Sequence, residues 1–125
     1  MREIKYRAWD IITLQMRPVV LLQFSTGGSL EWVVVDEGEG TPDTYIPLEY
    51  TGLKDKNGAE GYYTDILNAS FQDNWVVDWD EDEGNYYLRS LLGYDPLPLR
   101  KMKDMVIIGN IWENHELLEA KEYDK

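Results

Sequence analysis

The acidic segment at residues 78–84, Asp-Trp-Asp-Glu-Asp-Glu-Gly, has the residue types and spacing that could bind a cation. Its carboxylates occupy the first, third and fifth positions of a possible calcium-binding loop. An EF-hand also needs glycine at its sixth position and a bidentate glutamate at its twelfth. Glu83 and Arg89 stand there instead, so the segment is not an EF-hand. An irregular Ca²⁺ or Mg²⁺ contact stays open, but a solvated hairpin tip is the simpler interpretation, and we predict no metal site.

Acid–base catalysis by paired carboxylates is the second chemistry to consider. Asp78 with Asp80 or Glu81 could act as general acid and base. The chain holds 24 Asp and Glu residues, however, so neighbouring carboxylates arise by chance. The single histidine, His115, falls at the expected start of a helix, and no serine or threonine can be assigned a catalytic base. We therefore predict a noncatalytic protein, with a carboxylate-dependent or divalent-metal-dependent hydrolase as the alternative.

The composition disfavours sites built from cysteine, histidine or glycine-rich loops. The chain has no cysteine and one histidine, which excludes disulfides, thiolate metal sites and a multi-histidine zinc site. Gly38 and Gly40 lie among acidic residues with no lysine after them, so they do not form a phosphate-binding loop. We predict no cofactor.

The balance of charge restricts the partners. Twelve Lys and Arg against 24 Asp and Glu give a net charge of −12, and this field repels a phosphate backbone at long range. The compact basic group at residues 100–103 is too small a footprint for a nucleic-acid reader and fits a solvated loop beside a strand. We therefore predict no direct nucleic-acid binding, and a partner protein that is basic.

The hydropathy pattern indicates a soluble protein. The chain opens on a charged, alternating segment instead of an apolar signal sequence, and no apolar run approaches the roughly 18 residues that a membrane span needs. The lack of cysteine is compatible with a reducing compartment. We expect the bacterial cytoplasm and no membrane association.

Short apolar runs broken by turn residues dominate the first half of the chain. Residues 2–9 alternate in hydrophobicity with the period of a half-buried strand. Residues 19–24 and 30–35 are two further apolar runs, and the Ser-Thr-Gly-Gly-Ser sequence between them predicts a hairpin. Pro18 is expected to interrupt any regular ladder. Residues 36–43, acidic and rich in Gly and Pro, predict an exposed, mobile loop.

The middle of the chain predicts a second group of strands. Residues 45–53 form an extended segment that leads to a tight-turn signal at Asn57-Gly58. Residues 74–79 and 86–89 are strand-like on either side of a polar connector. This pattern predicts a hairpin with an acidic tip.

The last third predicts one more strand and a helix. Residues 105–112 form an apolar strand in which Gly109 marks a bulge or a close backbone approach. Asn114 is expected to cap a short C-terminal helix through its side-chain oxygen. We therefore predict a single domain over residues 1–125 that is mainly β, a β-rich α+β fold. Its architecture is a bent antiparallel sheet or a small SH3-like barrel with a short C-terminal helix.

Two tryptophans on the predicted hairpin face the same side of their strand. Trp75 and Trp79 are four residues apart, with Val77 between them, and alternate residues of a strand share a face. Core packing is the favoured interpretation for both rings. A recessed partner surface is the alternative.

Three segments of the chain resemble one family. They are Met-Arg-Glu-Ile-Lys-Tyr-Arg-Ala-Trp-Asp at 1–10, Tyr-Thr-Gly-Leu-Lys-Asp-Lys-Asn-Gly at 50–58 and Ile-Ile-Gly-Asn-Ile-Trp-Glu-Asn at 107–114. Together they resemble the YopX family of small proteins carried by phages and prophages. The resemblance implies a mainly β fold with some helix, a phage or prophage origin and self-association. It implies no catalytic residue.

The chain departs from the family pattern at two places that concern backbone shape. Thr64 stands where the family usually has glycine, and His115 stands where proline often follows Glu-Asn. The glycines at 52, 58 and 109 are best interpreted as scaffold residues that set turns or bend a strand.

The sequence thus favours a noncatalytic phage or prophage accessory protein that binds a host or phage protein. A structural homo-oligomer, in which aromatic faces pair between copies, is an alternative. The expected surface combines long-range attraction of a basic partner with aromatic anchoring at contact. The residues of this partner-binding hypothesis are Asp80, Glu81, Asp82, Glu83, Trp75 and Trp79.

Overall fold

The computed structural model describes residues 3–69 and 73–119. The chain groups into two compact units, which divide between Tyr50 and Thr51. Antiparallel strands dominate both units, which confirms the prediction of a mainly β fold. One domain over residues 1–125 stays a prediction, because compactness alone does not show whether a unit folds by itself.

The first unit consists of strands joined by short turns. In chain order they are β1 Tyr6–Asp10, β2 Gln15–Phe24, β3 Leu30–Val35, β4 Gly38–Gly40 and the first part of β5 Tyr45–Lys54. Within the unit the strands lie in the order β4-β3-β2-β1-β5. The core contains buried Ala8, Val33 and Val35, against which half-buried side chains pack: Val19, Leu22, Leu30 and Tyr45.

Strand β2 runs through Pro18, but neither of its two ladders does, which agrees with the expected interruption at this residue. The residues up to Pro18 pair with β1, where Pro18 lies opposite Arg7. From Val19, which lies opposite Val35, the strand pairs with β3. Proline has no N–H to donate to a ladder, and here it stands where the strand exchanges one partner for the other.

Part of the predicted loop at residues 36–43 is strand β4, which pairs with β3. The reason is the ring of Tyr45, which lies against two glycines. A Cβ added to Gly38 would lie 2.5 Å from the Tyr45 hydroxyl oxygen, and one added to Gly40 would lie 3.2 Å from a ring carbon. Glycine leaves room for the ring to pack directly on the strand, a contact that loop composition does not reveal.

The second unit contains the end of β5 and a separate sheet. The remaining strands of the second unit are β6 Glu60–Tyr62, β7 Asp65–Asn68, β8 Asn74–Asp80, β9 Asn85–Ser90, β10 Leu97–Pro98 and β11 Val106–Asn110. The unit also has 3₁₀ segments at Leu99–Asp104 and His115–Leu118. The separate sheet is formed by β7 to β11. The sheet has the order β10-β9-β8-β7-β11. Because this order begins and ends with different strands, the described sheet is open, so of the two predicted architectures the antiparallel sheet is found and the closed barrel is not.

The core of the second unit explains the position of its basic 3₁₀ segment. The buried core residues are Leu67, Trp75, Val77, Leu88, Met102 and Met105. Met102 is fully buried, whereas Arg100, Lys101 and Lys103 on the same segment are exposed. The basic group at residues 100–103, which the sequence places in a loop, therefore lies on a 3₁₀ segment whose Met102 side chain is buried in the core.

Strand β11 has the irregularity that Gly109 predicts. Its pairing with β7 shifts register between Ile107 and Gly109. A side chain at Gly109 would collide with the side chain of Asn114. Glycine is therefore needed for close approach at the bulge.

The expected C-terminal helix is instead a single 3₁₀ turn at His115–Leu118. Asn114 makes no side-chain capping bond to this turn. Its Oδ1 accepts a hydrogen bond from the N–H of Asn110 at 3.1 Å. The side chain of Asn114 thus bonds to β11 and does not cap the 3₁₀ turn. The start of that turn therefore lacks the side-chain hydrogen bond that would favour a longer helix.

Candidate partner-binding site

The hairpin of β8 and β9 is built as the sequence predicts. The two strands pair without interruption from Trp75 opposite Ser90 to Asp80 opposite Asn85. The connector is a tight turn, in which the N–H of Gly84 donates to the carbonyl of Asp80 at 2.8 Å. Gly84 has a φ of 69°, which glycine adopts without the steric cost of a Cβ.

Asp80 organises the acidic tip. Its Oδ1 accepts hydrogen bonds from the N–H groups of Asp82 at 2.9 Å and Glu83 at 3.1 Å. This Asx-type arrangement fixes the turn. The side chains of Glu81, Asp82 and Glu83 are exposed, so three carboxylates project into solvent from a defined backbone.

An aromatic cluster of Tyr63, Trp79 and Tyr86 borders the tip. The rings of Trp79 and Tyr86 meet edge to face, with centroids 4.8 Å apart. Tyr86 also contacts Tyr63, with centroids 5.8 Å apart. The Trp79 ring packs on Tyr86 but is 41% exposed. Much of this large amphipathic ring therefore faces solvent.

Trp75 lies inside the core and not in the aromatic cluster. It is 8% exposed and packs with Val77 and Leu88. The same face of β8 thus begins in the core at Trp75 and ends in solvent at Trp79. We therefore leave Trp75 out of the candidate surface.

The opposite face of the hairpin carries a second polar arrangement. Asp78 accepts a hydrogen bond from Arg89 Nε at 2.8 Å. Burial raises the pKa of Tyr87, and the nearby Asp78 carboxylate, to which it is hydrogen-bonded, raises it further. The Tyr87 phenol is therefore neutral near pH 7 and donates to Asp78.

An open pocket of about 350 Å³ lies on the same side of the hairpin. Its lining combines a carboxylate, an aromatic ring and two prolines: Asp80, Tyr87, Pro96, Leu97 and Pro98. The tip is thus bordered by the aromatic cluster and by this pocket.

The remaining chemical candidates of the sequence lie apart from the hairpin. His115 is exposed in its 3₁₀ turn. Within residues 3–69 and 73–119, three or more Asp, Glu or His side chains are nowhere arranged to hold a metal ion. Gly38 and Gly40 contact Tyr45. The noncatalytic assignment stays a prediction.

Two buried aspartates that the sequence did not single out organise turns. Asp55, 6% exposed, accepts hydrogen bonds from the N–H groups of Asn57 and Ala59, each at 2.8 Å. Asp10, 3% exposed, accepts from Ile12 and Thr13 and pairs with Arg17 Nε at 3.2 Å. The sequence signal for this role was an aspartate just before a turn, because its carboxylate can accept hydrogen bonds from the backbone N–H groups two or more residues later.

The fold and this hairpin define a small acidic β protein that presents exposed carboxylates beside one exposed tryptophan ring. The sequence model of the YopX protein family matches residues 5–119, so the chain belongs to that family. This confirms the resemblance that three short segments indicated.

A solved structure shares the fold. It is the crystal structure of protein EF1440 from Enterococcus faecalis, with a TM-score of 0.73 and 25% sequence identity. The similarity covers 95% of this chain and 100% of that one. No curated protein matches the sequence. Among the described residues, no helix is sufficiently long and apolar to cross a bilayer.

Thr64, where the family usually has glycine, adopts the backbone conformation that glycine prefers. Its φ is 74°, a region that a β-branched residue rarely enters. Its Oγ1 accepts a hydrogen bond from Trp112 Nε1 at 3.1 Å. Thr64 therefore holds a conformation that glycine adopts without steric cost, and its hydroxyl contacts Trp112.

Proposed function

We propose that this protein is a noncatalytic phage or prophage accessory protein that binds a basic host or phage protein in the bacterial cytoplasm. The observation that carries the proposal is the exposed Trp79 ring beside the exposed carboxylates of the hairpin tip. Membership of the YopX family supports the phage or prophage origin.

The charge of the tip supports attraction of a basic partner. Glu81, Asp82 and Glu83 project from a chain whose net charge is −12. Complementary charge accelerates encounter and selects against partners of like charge. A basic surface gains from both effects, whereas an acidic surface or a nucleic acid is repelled.

The aromatic cluster supports anchoring after encounter. Tyr86 fixes the Trp79 ring edge to face, so the ring loses little conformational freedom when a partner covers it. Tryptophan is the side chain most enriched among residues that dominate interface energies. Its face also attracts the guanidinium of an arginine through cation–π interaction.

The pocket on the other side of the hairpin supports a second contact for a basic side chain. Asp80 supplies a carboxylate, and Tyr87 and Pro98 supply apolar walls. A lysine or arginine stem packs on apolar surface while its charged end meets a carboxylate. The hairpin tip can therefore engage a basic segment from two sides.

A matched pair of charge variants tests the proposal. The tip variant carries Asp80→Asn, Glu81→Gln, Asp82→Asn and Glu83→Gln. The control variant carries the same number of changes at exposed acids elsewhere: Glu31→Gln, Asp43→Asn, Asp104→Asn and Glu116→Gln. Each variant changes the net charge equally. Recovery of partners from a bacterial host lysate on immobilised protein is the measurement.

We expect the tip variant to lose the partner and the control variant to keep it. Trp79→Ala should weaken recovery without changing the charge, because it removes the anchor alone. Equal recovery by wild type and tip variant would remove this surface from the function. Equal loss in both charge variants would mean that net charge, and not the hairpin, holds the partner.

A further inference from the structure

The turn between β1 and β2, residues 11–14, has the same hydrogen bonds as the acidic tip between β8 and β9. In both turns, the carbonyl of the preceding aspartate, Asp10 or Asp80, accepts the N–H of the fourth turn residue at 2.8 Å. Oδ1 of the same aspartate accepts the N–H groups of the second and third turn residues. Both turns also have a positive φ at the fourth residue, 59° at Leu14 and 69° at Gly84.

The fourth residue of the β1–β2 turn is strained where its counterpart is not. Gly84 enters the positive-φ region freely, whereas a leucine there brings its Cβ close to a carbonyl oxygen. The hydrogen bonds to Asp10 hold Leu14 in this conformation. Its side chain is 65% exposed, so packing within the fold offsets little of the strain. Strain that the fold itself does not use points to a role in function.

The β1–β2 turn presents aliphatic side chains where the β8–β9 turn presents carboxylates. Ile12 is 75% exposed, Leu14 is 65% exposed and Ile11 is 44% exposed; we call these three residues the apolar tip. Residues 11–16 contain no charged side chain, in a chain of net charge −12. Because Asp10 fixes the backbone of the turn, the apolar tip loses little conformational freedom when another molecule covers it.

Two exposed carboxylates border the apolar tip. Arg17 on β2 lies with NH1 3.6 Å from Asp36 and 3.7 Å from Glu37, and with Nε 3.2 Å from Asp10. Arg17 thus connects the turn between β3 and β4 to the aspartate that organises the apolar tip. The side chain of Glu37 is 74% exposed and that of Asp36 is 41% exposed. The apolar tip therefore stands beside negative charge that faces solvent.

We propose that the apolar tip inserts into an apolar cleft of another protein, and that lysine or arginine side chains form the rim of this cleft. Projecting aliphatic side chains fit a concave apolar site. A basic rim complements the carboxylates of Asp36 and Glu37. The contact belongs to a different hairpin from the acidic tip, so it does not rest on the function proposed above.

A membrane and a second copy of the chain fit the apolar tip less well. The anionic surface of a bilayer repels a chain of net charge −12. Segments that lie in the bilayer interface usually combine apolar side chains with Lys and Arg, and the nearby Arg17 is already paired with carboxylates. Two copies that met here would bring the same exposed acids, Asp36 and Glu37, close together.

Leu14→Gly separates a role in binding from a role in the fold. It removes both the strain and the side chain, so the midpoint of urea denaturation should equal or exceed that of wild type. Leu14→Met keeps an apolar side chain in the strained conformation and is the conservative variant. A midpoint of Leu14→Gly below that of wild type would show that Leu14 supports the fold, and would overturn the proposal.

Binding is measured on proteins that the immobilised full chain retains from a bacterial host lysate, each then purified and titrated by calorimetry. We expect a protein whose Kd rises at least about tenfold with Leu14→Gly and with Ile12→Ser, because a buried aliphatic side chain is lost. Leu14→Met should change this Kd by less than about threefold. Ile4→Ser, at a 71% exposed site before β1, removes an isoleucine outside the tip and should have no effect.

The charged rim and the independence from the acidic tip are tested on the same purified protein. Asp36→Asn with Glu37→Gln should raise the Kd at low salt and have less effect at high salt. The variant with changes at residues 80–83 should retain binding. A retained protein that is lost with changes at residues 80–83 but not with Leu14→Gly would support the acidic tip alone. If no retained protein distinguishes Leu14→Gly from Leu14→Met, the proposal is overturned.

Two further measurements identify the other occupants. Vesicles of phosphatidylethanolamine and phosphatidylglycerol should not cosediment with the wild type. Cosedimentation that Leu14→Gly abolishes would assign the apolar tip to a membrane and overturn the proposal. Sedimentation equilibrium should give the chain mass of 14.6 kDa. A dimer mass that Ile12→Ser returns to the chain mass would assign the tip to a second copy, which overturns it as well.

Discussion

The Asp55 carboxylate accepts a hydrogen bond from the backbone N–H of Ile107 at 2.9 Å, across 52 positions of sequence. This bond joins the turn at residues 55–58 to β11, and these lie in two of the three segments that carry the family resemblance. A second bond beside it runs from the N–H of Lys56 to the carbonyl of Met105 at 2.8 Å. The shared segments therefore build one structural joint, which agrees with the scaffold roles that the sequence predicted.

Asp55→Asn should destabilise the fold. Three backbone N–H groups point at the carboxylate, and the amide of asparagine can offer only one oxygen to them. We expect a loss of about 2 kcal/mol in the free energy of unfolding, since a buried unpaired donor costs about 1–3 kcal/mol. Urea denaturation is the measurement. Asp43→Asn, at an exposed site, should leave the midpoint unchanged, and equal midpoints for both variants would contradict the joint.

Asp10 should contribute a pH-dependent part of the stability. The hydrogen bond from the Thr13 hydroxyl, opposed by burial and aided by backbone N–H groups and Arg17, lowers the pKa of Asp10 from 3.8 to about 2. A carboxyl whose pKa is lowered by folding stabilises the protein above its unfolded pKa. This contribution is present above pH 3.8 and is lost as the pH falls through about 2.

The measurement is urea denaturation at several pH values for wild type and Asp10→Asn. We expect Asp10→Asn to be less stable than wild type near neutral pH, and the difference to shrink as the pH falls from 3.8 towards 2. A difference that stays constant over this range would show that the charge of Asp10 is not what stabilises the turn.

Thr64→Gly and Thr64→Val should separate backbone strain from the Trp112 contact. Glycine removes the strain of a φ of 74°, which costs about 1–3 kcal/mol, but it also loses the hydroxyl that Trp112 Nε1 contacts. These effects oppose, so we expect Thr64→Gly to lie within about 1 kcal/mol of wild type.

Thr64→Val keeps the β-branched side chain in the strained conformation and loses the hydroxyl. It should therefore be less stable than Thr64→Gly by at least about 1 kcal/mol. Thermal unfolding of the two variants measures this difference. A valine variant as stable as the glycine variant would show that the positive φ is not a source of strain here.

Trp75→Ala and Trp79→Ala should differ sharply in stability. Trp75 fills the core, and truncation of a buried aromatic residue costs about 3–5 kcal/mol. Trp79 is 41% exposed and mainly contacts Tyr86, so its loss should cost about 1 kcal/mol. Denaturant unfolding gives both values. Equal losses would mean that Trp79 is a core residue and would weaken its proposed role as an anchor.

Local patterns predicted the elements whose contacts are close in sequence. The β8–β9 hairpin, the turn at Asn57-Gly58 and the bulge at Gly109 follow from alternation and turn residues over short windows. Strand β4 was missed because its acidic, Gly-rich composition is typical of a loop, and composition does not reveal the packing of Tyr45 on its glycines. The short C-terminal helix is present only as a 3₁₀ turn, and Asn114 bonds to Asn110 instead of capping it.

The sequence by itself determined the mainly β class, the family and the acidic hairpin tip, because period-two alternation, turn residues and net charge are properties of short segments and of composition. Only the tertiary structure decided that Trp75 is core and Trp79 is exposed, although both stand on one face of one strand. It also decided that β2 continues through Pro18, where pairing with β1 gives way to pairing with β3. The physical reason is that exposure and strand pairing depend on which distant segments cover a residue. The alternation of residues along one strand does not indicate which segments those are.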